Sequence, residues 1–156
     1  MKKILLFILL LLVIPISVDA SNKIHSIDMD IYLEHDGSAN ITETWVVDGD
    51  DGTEWYKVMN NLGESKFSNF TVSMDGRDLQ YKNWNVDESL EQKRGYYGIN
   101  YTEEGMELCF GKYDYDRHTF VLNYKLSNFV FNTSDSKPGS SSISNVSVIV
   151  VPGELS

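Results

Sequence analysis

The chain has 156 residues, of which 13 are basic and 23 acidic, for a formal net charge of −10. Such a surface repels phosphate backbones and anionic lipid, which excludes nucleic acid as a partner. A single cysteine, Cys109, excludes an internal disulfide framework, so a folded domain must rest on its core.

Residues 1–20 begin with Lys2 and Lys3, continue through an apolar run over residues 4–18, and end in Val18, Asp19 and Ala20. This is the build of a cleavable secretory signal, and the apolar run is short for a membrane span. Its removal takes Lys2, Lys3 and Asp19 away, leaving 136 residues with 11 basic and 22 acidic groups, a net charge of −11. Residues 21–156 are long enough for one exported domain. A disulfide-free exported domain fits a Gram-positive bacterial protein better than an animal ectodomain. The sequons at Asn40, Asn69, Asn100, Asn132 and Asn145 matter only in a eukaryotic secretory pathway.

The first stretch of the exported part, residues 24–47, reads as two alternating strands. Ile27, Met29, Ile31 and Leu33 share one face while Asp28, Asp30, Tyr32 and Glu34 share the other, the period of a half-buried strand. The return strand carries Ala39, Ile41, Trp45 and Val47 on one face. Matching the two apolar faces sets Leu33 opposite Ala39 and Ile31 opposite Ile41. A two-residue loop at Asp36 and Gly37 would instead set Leu33 against Asn40. A three- or five-residue loop is therefore expected, with Gly37 supplying its φ > 0 position.

Residues 48–54 (DGDDGTE) form an acidic loop whose spacing resembles a calcium loop, but Gly52 stands where a third Asp is wanted and no bidentate Glu follows at the right distance. Residues 55–59 can form a short strand, and residues 60–65 turn the chain. Residues 68–82 are a hairpin about a primed turn at Asp75 and Gly76, with Val72 facing Leu79 and Phe70 facing Tyr81. Residues 83–94 read as a polar loop with one helical turn. Tyr97, Ile99 and Tyr101 alternate against Met106, Leu108 and Phe110, which puts Cys109 on the opposite face as an inert thiol.

His118, Phe120, Leu122, Tyr124 and Leu126 follow at period two and define a long strand. Residues 132–142 are a Ser/Gly linker of low complexity, expected to be flexible. The final strand, residues 146–151, is apolar on both faces and should lie inside a sheet or cover a surface. About eight to nine short strands without a helix-period segment predict an all-β fold, an antiparallel, immunoglobulin-like sandwich.

His25, His35 and His118 lack the spacing of a metal site, and neither a phosphate loop nor a nucleophile elbow is present, so no catalytic, cofactor-binding or metal-binding residue is assigned. Glu43 breaks the pattern by sharing an apolar face with Ile41 and Trp45. A carboxylate there must find a partner or lose its charge, and Lys57 on the following short strand is the expected partner in a structural ion pair. Trp84, Tyr96 and Tyr97 are the aromatic candidates for stacking on a sugar surface.

Several pieces of the chain resemble the YciQ-like predicted membrane protein family, whose exported N-terminal part is a domain of unknown function (2207). The run Ile24-x-x-Ile27-Asp28-x-Asp30-Ile31, the turn Asp36, Gly37, Ser38, and the strand Ile41, Thr42, Glu43, Thr44, Trp45 resemble its start. Residues 52–58 (GTEWYKV) resemble a glycine followed by a Tyr-Arg-x-Ile-Pro segment, with Lys57 in place of Arg and Asn60 near the position of Pro. Residues 118–126 and 143–152 resemble later strands of the domain, while a family segment bearing Asp and Trp is replaced by the Ser/Gly linker. The resemblance implies a domain outside the cell ahead of transmembrane helices. It makes this chain either a shortened member or a stand-alone secreted relative. The family carries no established catalytic residues. The expectation is therefore a non-enzymatic exported β-sandwich, secreted or at the outer face of the cytoplasmic membrane, acting in binding or assembly with a membrane or cell-envelope protein or a glycan. A carbohydrate or cell-wall binding module and a polysaccharide hydrolase using acidic loops are the alternatives.

Overall fold

The computed structural model describes residues 22–130. The expectations for residues 1–20, 132–142 and 146–151 lie outside them. The strands are β1 (Lys23–Leu33), β2 (Ala39–Asp48), β3 (Glu54–Asn60), β4 (Phe67–Met74), β5 (Arg77–Asp78), β6 (Gln80–Tyr81), β7 (Tyr96–Tyr101), β8 (Gly105–Gly111) and β9 (Arg117–Leu126), with one helical turn, α1 (Leu90–Lys93), before β7. They form two sheets, one in the order β1-β2-β9-β4-β5 and one in the order β3-β8-β7-β6. The protein is an all-β sandwich. Among the described residues only β6 and β7 pair in parallel.

The first hairpin has the expected register, Leu33 opposite Ala39 and Ile31 opposite Ile41. Five residues, 34–38, close it. The Glu34 N–H donates to the Ser38 carbonyl at 2.8 Å, and Gly37 sits at φ +80°. Any side chain at Gly37 would also meet the Val130 carbonyl oxygen at 2.8 Å, so this glycine is required twice, by conformation and by space.

Alternation places Ala39, Ile41, Glu43, Trp45 and Val47 of β2 inward, all buried. They pair with β9, where Phe120, Leu122, Tyr124 and Leu126 also point in. From the facing sheet Trp55 and Met59 of β3 and Leu108 and Phe110 of β8 complete the core. Phe110 and Phe120 are fully buried with ring centroids 4.8 Å apart, and Trp45 meets Phe110 edge-on at 5.7 Å. Removing each such ring from water contributes about 1.5–3 kcal/mol. The interior divides into two clusters, one around Trp45, Trp55, Phe110 and Phe120, the other around Ile41, Met59, Leu108 and Tyr124.

The pairing of Tyr97 with Phe110, Ile99 with Leu108 and Tyr101 with Met106 is as the alternation predicts. The hairpin about Asp75 and Gly76 keeps its register near the turn, where both residues have positive φ and the Leu79 N–H donates to the Val72 carbonyl at 2.9 Å. Its extension is corrected, because Phe70 does not face Tyr81 across a ladder. After Leu79 the chain leaves the first sheet, and Gln80 and Tyr81 pair with Tyr96 and Tyr97 in the second. A positive φ at Asn69 and a register shift between Ser68 and Thr71 break β4 at the same level. Phe70 and Tyr81 meet through a third ring instead, since both pack on Tyr97, at 5.2 Å and 5.6 Å.

A second correction concerns β1. Its apolar side does point toward the facing sheet, yet Ile27, Met29 and Leu33 are 40 %, 38 % and 45 % exposed. The sheet opposite begins at β3, which lies over β2, and β1 projects one strand beyond it.

The outer face of the second sheet is covered by residues 82–94. A side chain at Gly98 would come within 2.5 Å of the Lys82 carbonyl oxygen, and one at Gly111 within 2.1 Å of the Lys93 carbonyl oxygen. Glycines inside these strands let the covering backbone lie directly on the sheet. Beneath it Cys109 is fully buried, and burial, reinforced by the charges of Glu54 and Glu107, pushes its thiol well above the usual range.

Candidate functional site

The polar feature set deepest in the sandwich is the carboxylate of Glu43, which has no solvent exposure. Three donors converge on it. Lys57 Nζ donates to Oε1 at 2.5 Å, the Tyr124 hydroxyl donates to the same oxygen, and Trp45 Nε1 donates to Oε2 at 2.9 Å. The structure brings Glu43 and Lys57 together across the two sheets, from β2 to β3, rather than along one ladder. Two of the donors are read directly from strand geometry. Trp45 lies two residues on along the same face, and Tyr124 is paired with Ile41, one diagonal step from Glu43. Burial and the neighbouring negative charge of Glu43 raise the Tyr124 hydroxyl far above its ordinary value, so it stays a donor. The Lys57 ammonium also lies 5.9 Å from the Tyr124 ring centroid. A carboxylate held this way can bridge layers. It has no open side on which a substrate could approach.

A second buried cation lies under the covering segment. Lys93, at the end of α1, is fully buried, and its ammonium is 2.7 Å from Glu54 Oε2, 2.9 Å from Thr53 Oγ1 and 2.7 Å from the Val86 carbonyl oxygen. The same Glu54 oxygen accepts from Trp84 Nε1 at 2.8 Å, and the ammonium stands 5.6 Å from the Trp84 ring centroid. Lys112, also buried, donates to Asn22 Oδ1 at 2.6 Å and to the Asp51 carbonyl, and lies 4.4 Å from the Trp55 ring centroid. Burial lowers its affinity for the proton, opposed by Asp51, Asp50 and Glu54. Sequence reasoning missed both lysines. The in-strand glycines Gly98 and Gly111 were the available signal that backbone lies on that face.

The three aromatic candidates do not form one open platform. Tyr97 is a core residue whose hydroxyl donates to the Phe70 carbonyl at 3.2 Å. Trp84 is half-buried, its ring close to the Lys93 ammonium and to Gly98. Tyr96 is half-buried with Lys82 Nζ 5.2 Å from its ring centroid.

Two of the three histidines, His118 and His25, are structural in their contacts, while His35 is exposed. His118 is held at both ring nitrogens, Nδ1 at 2.6 Å from Asp75 Oδ2 and Nε2 at 2.8 Å from Asp114 Oδ1. It ties the β4–β5 turn to the β8–β9 loop. His25 contacts Asp48 at 2.6 Å, and Arg117 holds the same carboxylate at 2.8 Å and 3.1 Å, which keeps Asp48 well below the usual carboxylate range. Among the described residues no group of three or more His, Cys, Asp or Glu is arranged to hold a metal, and no helix is long and apolar enough to cross a membrane.

Residues 23–138 match the N-terminal domain of the predicted membrane proteins of DUF2207. The chain belongs to that family. No curated protein and no solved structure matches it. Within this member of DUF2207, the strands that bear the resemblance, around Trp45, Lys57 and Tyr124, are those that build the Glu43 network.

Two expectations follow. Glu43→Gln should destabilise the fold by about 3 kcal/mol, because it leaves Lys57 facing a neutral amide, and Lys57→Met should cost a comparable amount by leaving the carboxylate without its cation. The double variant should cost clearly less than the sum, as measured by denaturant unfolding in a double-mutant cycle. Additivity, or an unchanged Glu43→Gln midpoint, would count against the tie. For His118, burial disfavours the charge, but the bonds to Asp75 and Asp114 outweigh it and raise the folded-state value. A raised folded value means that its contribution is complete below about pH 6.5 and is lost as pH rises through the folded value. Unfolding midpoints should therefore fall between about pH 6 and about pH 9 in the native chain and fall less in His118→Gln. Equal slopes in the two proteins would refute that assignment.

Proposed function

We propose that this DUF2207 domain is a non-catalytic exported β-sandwich that acts in binding or assembly at the outer face of the bacterial cytoplasmic membrane. The observation that carries this reading is that the Glu43 carboxylate and the Lys93 ammonium are both buried and engaged inside the molecule. Glu43 is engaged by Lys57, Tyr124 and Trp45, and Lys93 by Glu54, Thr53 and the Val86 carbonyl. General acid–base work needs a carboxyl group that can reach substrate, and Glu43 is enclosed instead. Export is supported by the signal-like residues 1–20, and the strongly acidic surface avoids anionic lipid while the domain stays close to a membrane.

The test is a fusion of the chain from Met1 to Ser156 to a reporter enzyme that is active only after export, expressed in a Gram-positive host together with a peptidoglycan sedimentation assay of the purified domain. The proposal expects external reporter activity, no release of soluble fragments from peptidoglycan, and sedimentation unaffected by Trp84→Ala. Reporter activity confined to the cytoplasm would overturn the exported placement. Sedimentation abolished by Trp84→Ala would replace the reading with a wall-binding module. Turnover lost on changing one carboxylate would make the protein a hydrolase.

A further inference from the structure

The edges of the two sheets are offset on one side of the sandwich. β1 ends the first sheet and β3 ends the second. Lys57 of β3 reaches Glu43 of β2, and Met59 packs in one cluster with Ile41, so β3 sits above β2 and leaves β1 uncovered. The result is a ledge one strand wide. Its floor is the apolar side of β1, with Ile27, Met29 and Leu33 38–45 % exposed although they point inward. Its wall is the outer edge of β3, which among the described residues is paired only through β8 on its other side. A strand added to β3 in the second sheet would stand over β1 and bury those side chains, whereas a strand added to β1 in its own sheet would leave them open.

We propose that residues 143–151 of this chain occupy the ledge as a further strand on the β3 edge. The last described residues lie at the mouth of the ledge. The Val130 N–H donates to the Gly37 carbonyl at 3.0 Å beside the β1–β2 turn, and Phe129 packs against the cluster that holds Met59, Ile31 and Leu62. Residues 131–142 then span at most about 40 Å when extended. The floor is one strand of 11 residues, about 36 Å long, so the segment can reach any point along it.

The residue types fit the place. Residues 143–151 (ISNVSVIVV) are uncharged and put Val146, Val148 and Val150 on one face and Ser147, Ile149 and Val151 on the other. The all-valine face is the one that lies on Ile27, Met29 and Ile31, since the other carries Ser147. A second copy of the chain fits worse. It would bring another set of β1 carboxylates, Asp28 and Asp30, to the same exposed rim of a protein with a net charge of −10.

Hydrogen exchange read by mass spectrometry on the chain from residue 21 to 156 tests this. Peptides covering residues 54–60 and 143–151 should both be protected, and Val148→Lys should speed exchange in both by about tenfold or more while β2 and β9 stay unchanged. Free exchange of residues 143–151 in the folded protein would overturn the proposal, as would a Val148→Lys variant with unchanged protection in β3. A diazirine amino acid at position 29 gives a second readout that does not depend on the variant folding. It should crosslink to residues 143–151 of the same chain. Crosslinks to a second chain, or to none of those residues, would overturn it.

Discussion

The burial of one carboxylate between two sheets constrains the rest of this sandwich. Glu43 occupies a core position on β2 where alternation calls for an apolar residue, and taking a carboxylate out of water is costly unless donors replace the water it loses. Three replace it, one from the facing sheet, one from the paired strand and one from its own strand. The requirement that they converge fixes β3 above β2 and fixes the level at which Trp45 and Tyr124 meet. It also separates the interior into its two apolar clusters, with Trp45 belonging to one and Tyr124 to the other. A purely apolar residue at position 43 would fill the space without specifying which strand of the second sheet lies opposite.

That placement has consequences at the periphery. Because β3 is drawn over β2, the second sheet stops short of β1 and leaves its apolar side as a ledge. On the other face of the second sheet, Lys93 and Glu54 repeat the same device beneath the segment that covers Gly98, Cys109 and Gly111. Both buried ion pairs join pieces of chain distant in sequence, and neither leaves an unpaired charge in an open cleft. The polar interior of this domain serves its assembly.

Much of the ladder was legible in the sequence because period two and glycine turns are local signals. The faces of β2, β7, β8 and β9 follow from counting alone, and counting narrows the loop before Ala39 to three or five residues, of which the structure has five. Glu43 was legible as an exception to its own face, and Lys57 as its partner, though the sequence said nothing of Tyr124 as a donor to the same oxygen. What failed was non-local. The departure of the chain at Leu79 toward the second sheet depends on Tyr97 offering a ring to both Phe70 and Tyr81, and no pattern within residues 68–82 encodes that. The exposure of β1 depends on where a different sheet ends. The aromatic candidates were chosen by type, and type does not distinguish the core position of Tyr97, or the half-buried Trp84 whose indole N–H is held by Glu54, from a ring open to a ligand.

The central claim is that the Glu43 carboxylate is a dry bridge between the layers, and the indole proton of Trp45, which donates to it, reports on that bridge directly. Hydrogen exchange of the Trp45 Nε1–H followed by NMR measures it without altering the molecule. The account predicts that this proton exchanges only with global unfolding, at the rate of the most protected amides of β2 and β9. Loss of the signal within the first minutes, while those amides persist, would show that water reaches the carboxylate and would contradict it.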